Sequence, residues 1–201
     1  KKKFSVENIF TDIKTCLKST DYDCVFVFLP WDKIETKIYD IIKYSKKTIF
    51  AEKPIALSYK NLQGIVRFKK KYLNKVFVLY TRRYFDNVKI LKNFLKNNKL
   101  NYFRLSIPEN SKNLILKHGK KMRKIFKFMM TSHWIDLLIY LFKKFKFKVI
   151  NIDENTQYIH IRKKKVIGLI SLHKNIIDTL NLEFFFNEFS FKMITFEKAY
   201  F

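Results

Sequence analysis

The segment Ala51-Glu52-Lys53-Pro54 places an acid and a base directly after a short apolar run that is typical of a buried strand. Pro54 fixes its own φ angle and restricts Lys53 to an extended conformation. A lysine that is held at a strand end and partly desolvated can serve as a general acid or base. The alternative interpretation is an ordinary salt bridge within a loop, and the spacing of the residues leaves both open.

A histidine and an aspartate stand three residues apart at the start of an apolar helical pattern, so His133 and Asp136 share a helix face. Either His133 faces a ligand from a helix N-terminus, or it is a core histidine bonded to a backbone carbonyl. Arg82 and Arg83 follow a strand-like run. They could bind an anionic ligand or pin their loop to a neighbouring carboxylate.

Trp31 follows Pro30 at the end of another apolar run. It could stack on a flat ligand or cover part of the core. In parallel sheets ligands bind at the carboxyl ends of the strands. The loops after residues 29, 51 and 80 are therefore the ones expected to carry a site.

Alternating periodicities supply the elements that must position these side chains. The first half shows helical spacing over 6–17, 34–44, 58–71 and 85–96, and apolar strand-like runs at 24–29, 48–51 and 76–80. The continuous apolar runs predict strands buried on both faces, as in a parallel sheet. Ser58 is the expected N-cap of the third helix.

The second half predicts a different organisation. An apolar helix covers 131–142, a basic irregular stretch covers 110–126, and strand-like runs cover 102–107, 147–152, 157–162, 166–173, 177–185 and 191–196. Short connections between consecutive strands favour an antiparallel sheet. The predicted fold class is α/β: a partial parallel sheet over 1–100, followed over 101–201 by an α+β domain with a mostly antiparallel sheet.

Composition excludes several classes of protein. With 201 residues and 48% hydrophobic content the chain is not disordered, and its three glycines allow neither G-x-G-x-x-G nor a P-loop. The net charge of +25 suits a polyanion, but Lys outnumbers Arg about six to one and is spread evenly, which favours AT-rich codon usage over a selected phosphate site. Cys16 and Cys24 lack metal-ligand spacing and predict reduced thiols in the cytosol. The longest apolar run is too short to cross a membrane.

Four segments in this order resemble the Gfo/Idh/MocA oxidoreductases, a family named for glucose–fructose oxidoreductase, inositol dehydrogenase and a rhizopine-catabolism protein. The segments are Y-D-C-V-F-V-F-L-P-W, T-I-F-A-E-K-P-I-A-L-S, V-F-V-L-Y-T-R-R-Y-F and S-H-W-I-D-L-L-I-Y-L. They match the family's strand ending in Pro, its E-K-P strand, its strand ending in R-R/F and its H-x-x-D-L-L helix. The resemblance covers most of the chain and implies a Rossmann-like domain followed by a substrate and oligomerisation domain.

The same resemblance implies hydride transfer between NAD or NADP and a hydroxyl-bearing or keto carbon of a sugar, nucleotide sugar or cyclitol. Lys53 and His133 would be the catalytic pair that handles the proton. The positions that match the family's cofactor contacts are Pro30, Trp31, Glu52, Lys53 and Pro54. Those that match its substrate region are Arg83, His133 and Asp136.

Two departures from the family leave alternatives open. The glycine-rich βαβ unit has no counterpart in this sequence, and Met129 stands where many members carry an aspartate four residues before the histidine. The chain is therefore expected to be an NAD(P)-dependent dehydrogenase or a fragment of one, a non-catalytic homologue serving as a partner subunit, or a basic nucleic-acid-binding protein. We expect a cytoplasmic homo-oligomer with a small sugar-type substrate, and we do not expect nucleic acid, a membrane or a metal as a partner.

Overall fold

The computed structural model of the chain describes residues 7–19, 21–73, 75–109, 115, 116, 119, 131–153, 156–174, 181–193, 199 and 200. The chain divides into two compact units, Lys1–Leu79 and Tyr80–Phe201. Among the helices of these ranges, none is both long and apolar enough to pass through a bilayer. The predicted basic stretch 110–126 and Met129 lie almost wholly outside the described residues.

The first unit alternates helices and strands. Its elements are α1 (Ile13–Ser19), β1 (Cys24–Val27), α2 (Trp31–Tyr44), β2 (Thr48–Ala51), α3 (Tyr59–Lys71) and β3 (Val76–Val78). The strands form a parallel sheet in the order β1-β2-β3, in which Val27 pairs with Ala51 and Ala51 with Val78. The carboxyl ends of all three strands therefore lie at one edge of this sheet.

Local capping explains where two helices begin. The Ser58 side chain accepts a hydrogen bond of 3.1 Å from the Asn61 backbone N–H, so the predicted cap of α3 is confirmed. The first helix starts at Ile13 rather than at residue 6, because the Asp12 carboxylate accepts a 2.7 Å hydrogen bond from the Thr15 N–H. The cap at Asp12 therefore places the start of the helix later than the spacing of the upstream apolar residues had predicted.

Described helices cover one face of this sheet, while the rings on the other face are exposed or half-buried, which corrects the expectation of strands buried on both faces. The covered face carries Val27, Ile49 and Ala51 against α2 and α3. The other face carries a ladder of stacked rings, with centroid distances of 6.1 Å for Phe28–Phe26, 5.1 Å for Phe26–Phe50 and 5.6 Å for Phe50–Phe77. The sequence run could not separate the two cases, because apolar residues occupy both the even and the odd positions.

The second unit is built on a larger sheet. Its elements are a 3-10 turn (Thr81–Tyr84), α4 (Asp86–Asn97), β4 (Leu100–Glu109), α5 (Thr131–Phe142), β5 (Lys146–Asn151), β6 (Thr156–Lys163), β7 (Val166–Lys174), β8 (Asn181–Phe186), β9 (Ser190–Met193) and β10 (Ala199–Tyr200). The strand order is β10-β9-β8-β4-β7-β6-β5, and β4 pairs parallel with β7 while the other recorded pairs are antiparallel. The predicted fold class is confirmed.

Helices α4 and α5 share the core of the second unit. Val88 and Leu91 of α4 and Trp134 and Leu137 of α5 are buried together with the inner face of β4. Along the chain, the boundary between the units therefore lies between Leu79 and Tyr80, whereas the sequence analysis placed it at residue 100. The difference follows from α4, whose apolar face belongs to the second core.

Candidate functional site

The loop after β2 is anchored from two sides at the carboxyl edge of the first sheet. The Glu52 backbone N–H donates to the Val27 carbonyl at 2.9 Å, and the Leu57 N–H donates to the Glu35 carboxylate of α2 at 2.8 Å. Pro54 is buried and follows Lys53 through a cis peptide bond. Lys53 is half-buried, so the loop presents its ammonium group from a fixed backbone.

The loop after β1 reaches the same edge. The Pro30 carbonyl accepts hydrogen bonds from Lys33 N at 2.9 Å and Ile34 N at 3.0 Å, which starts α2 at Trp31. Pro30 is exposed and Trp31 is half-buried. The structure therefore brings the ends of β1 and β2, with Pro30, Trp31, Glu52, Lys53 and Pro54, to one edge of the first unit.

A second set of side chains lies in the other unit, between the 3-10 turn and the start of α5. The Tyr80 and His133 rings meet edge to face, with centroids 5.8 Å apart and planes at 87°. The Arg82 guanidinium lies 3.8 Å from the centre of the Trp134 ring. Two side chains at the turn and just before it therefore contact neighbouring residues in the first turn of α5.

An ion pair completes the same contact region. The Arg83 Nε donates to Asp136 Oδ2 at 2.7 Å, and its Nη2 donates to Asp136 Oδ1. This bond raises the pKa of Arg83, while burial lowers the pKa of Arg82 to about 10. Both guanidinium groups stay charged at neutral pH, and Asp136, which is buried, neutralises one of them.

The predicted site residues thus fall into two groups. Pro30, Trp31, Glu52, Lys53 and Pro54 are in the first unit, and Arg83, His133 and Asp136 are in the second. His133 and Asp136 share a helix face as predicted, in a helix whose bounds match the predicted 131–142. Tyr80 was missed, although the loop after residue 80 had been singled out and an aromatic residue at a strand end was the available signal.

No group of three or more His, Cys, Asp or Glu side chains that could hold a metal ion occurs in the described part of the chain. Cys16 and Cys24 form no disulfide. The chemistry that these residues can support is proton transfer and electrostatic stabilisation by Lys53 and His133.

Comparison with protein families confirms the resemblance found in the sequence. Residues 1–80 match the Gfo/Idh/MocA family model, described as an oxidoreductase family with an NAD-binding Rossmann fold. No curated protein matches the chain.

Solved structures match over nearly the whole chain. A scyllo-inositol dehydrogenase from Lactobacillus casei with bound NAD(H) and scyllo-inositol has a TM-score of 0.72 at 16% identity, covering 96% of this chain and 63% of its own. An oxidoreductase from Thermotoga maritima has a TM-score of 0.77 at 12% identity, covering 96% and 64%. The WlbA dehydrogenase from Bordetella pertussis, in complex with NADH and UDP-GlcNAcA, has 0.76 at 11%, covering 96% and 62%.

These structural similarities establish the fold. The sequence identities of 16%, 12% and 11% are too low to establish a function. The chain spans about three fifths of the length of the solved structures that it matches.

Proposed function

We propose that this chain is the core of an NAD-dependent oxidoreductase that transfers a hydride between nicotinamide and a carbon bearing a hydroxyl group in a sugar, nucleotide sugar or cyclitol. The observation that carries the proposal is the anchored Glu52-Lys53-Pro54 loop at the carboxyl edge of a parallel sheet, within residues that match an NAD-binding family. Parallel sheets bind their ligands at that edge.

The first unit fits the nicotinamide end of a dinucleotide. Pro30 and Trp31 begin α2 beside the loop that carries Glu52 and Lys53. A half-buried indole offers a face on which a flat group can pack, and we assign these residues and Pro54 to that contact. These 201 residues contain no G-x-G-x-x-G, so none of them is assigned to the pyrophosphate.

Bound NAD would supply the hydride acceptor or donor. Lys53 is assigned to the substrate hydroxyl, where an ammonium group stabilises the negative charge that develops on oxygen as the proton leaves. His133 is assigned to proton transfer, since a neutral imidazole can take a proton and return it. The family resemblance also predicts that the substrate contacts Arg83 and Asp136.

The experiment is a titration of NADH and NADPH followed by nucleotide fluorescence at low and high salt, and then a turnover screen with inositols, hexoses and UDP-linked sugars. Lys53→Met should lower kcat/KM by about 10²–10³-fold, the range typical of losing one group that stabilises a developing oxyanion. Lys60→Met is the matched control, because it removes the same charge from an exposed position of α3. Equal loss in both variants would contradict the assignment of Lys53.

A non-catalytic partner subunit is the second candidate, favoured by Met129, which stands where many members of the resembling family carry an aspartate. It predicts neither turnover nor a Lys53 effect, together with a stable complex. Homo-oligomer formation is expected for both candidates and is measured by sedimentation. Nucleotide binding that vanishes at high salt would instead indicate nonspecific attraction to the +25 charge.

A further inference from the structure

Three consecutive contacts tie the 3-10 turn to the first turns of α5. Tyr80 meets His133, Arg82 lies over Trp134, and Arg83 bonds to the carboxylate of the residue one turn beyond His133. Trp134 is buried at 4% exposure, so the helix is fixed directly after the histidine. The ring that packs on the imidazole of His133 is that of Tyr80.

We propose that Tyr80 is a positioning residue that sets the orientation of the His133 imidazole. The inference rests on the proposed function, because His133 is the group assigned there to proton transfer. Tyr80 acts through His133 and is not assigned a contact with substrate.

Tyr80 is suited to this role because its backbone is held in the turn and its ring is half-buried. Its carbonyl accepts a 3.4 Å hydrogen bond from the Arg83 N–H, which closes the 3-10 turn. Burial raises the pKa of its phenol, and the neighbouring Ser132 hydroxyl offsets part of that rise, so the group is neutral near pH 7. A neutral ring perpendicular to an imidazole is a favourable aromatic geometry that restricts rotation of the partner.

The ring rather than the hydroxyl should therefore carry the effect. Tyr80→Leu removes the ring and should lower kcat about tenfold or more with a smaller change in KM, since misplacing a catalytic group chiefly affects the transition state. Tyr80→Phe retains the ring and should restore kcat to near the wild-type value. Tyr102→Leu is the control, because Tyr102 is another half-buried ring of this unit, tilted by 32° against Phe185 of β8 with ring centroids 5.7 Å apart.

A second measurement does not depend on turnover. The imidazole protons of His133, assigned by their loss in His133→Gln, should lose their ring-current shift in Tyr80→Leu and keep it in Tyr80→Phe and Tyr102→Leu. Unmoved His133 resonances in Tyr80→Leu would overturn the inference, as would a kcat loss no larger than that of Tyr102→Leu. If the wild type turns over no substrate, the proposed function fails, and the resonances alone decide the role of Tyr80.

Discussion

Lowering the pH should destabilise the second unit through a single buried carboxylate, Glu183. This side chain lies on β8 at 5% exposure, between Arg104 of β4 and Lys192 of β9. It accepts hydrogen bonds from Arg104 Nε, from Lys192 Nζ at 2.9 Å and from Asn181 Nδ2 at 3.3 Å. Burial alone would raise the pKa of Glu183, but these donors outweigh it and lower the pKa from 4.5 to about 2.

The size of the effect follows from linkage. Above pH 4.5 the carboxylate is ionised in the folded and the unfolded chain, so its full contribution is present. As the pH falls from 4.5 towards 2 the unfolded chain binds a proton that the folded chain does not, and stability is lost. A difference of this size corresponds to about 3 kcal/mol in total, of which about 1 kcal/mol is lost by pH 3.5.

The assay is urea unfolding at several pH values between 6 and about 3.5, followed by Trp134 fluorescence in a Trp31→Phe background. Trp134 is in the core of the second unit, so its signal reports that unit. Glu183→Gln should be less stable than the wild type at pH 6 and should lose less stability on acidification. Glu188→Gln, at an exposed position of the following turn, should behave like the wild type. Parallel pH profiles for wild type and Glu183→Gln would refute the reasoning.

Two further substitutions, each with a control, test the stability of the two units by urea unfolding followed by far-ultraviolet circular dichroism, which reports the helices and strands of both units. Gly168→Ala should cost about 1–3 kcal/mol, because an added methyl would overlap the buried ring of Phe103 on the paired strand. Gly64→Ala, whose methyl would meet only the tip of a tyrosine side chain, should be nearly neutral, and equal losses in both would contradict the overlap. Ser58→Ala should cost about 1 kcal/mol by releasing the Asn61 N–H, while Ser58→Asn should largely preserve stability.

Regular periodicity made the elements of the fold predictable. The helix over 131–142 and the strand over 48–51 were found at their observed bounds, because apolar spacing continues through each element and stops at its ends. The parallel pairing of β4 with β7 was not predictable. Local spacing indicates that a segment is a strand, but the choice of partner depends on contacts between distant parts of the chain.

The burial of a charged side chain could not be predicted from the sequence either. Glu183 stands in an aromatic strand, which marks it as unusual, but its partners lie on two other strands. Only the register of the sheet places Arg104 and Lys192 opposite it. Residue type and spacing singled out Lys53 and His133, and the resemblance implied their catalytic roles. Neither gave information on Tyr80, whose importance comes from a contact across 53 residues of sequence.

Arg83 and Asp136 show how such a pairing changes the meaning of a residue. The family resemblance placed both residues in the substrate region, while the sequence pattern also allowed the arginines to pin their loop to a neighbouring carboxylate, and in the structure Arg83 bonds to Asp136. A guanidinium and a carboxylate joined in this way offer an incoming ligand no net charge, whereas loss of either partner strands the other charge in a partly desolvated place. The pair also fixes the 3-10 turn against α5. We therefore expect it to affect a reaction at His133 by holding these two elements in place. A direct contact between the pair and the substrate stays a prediction.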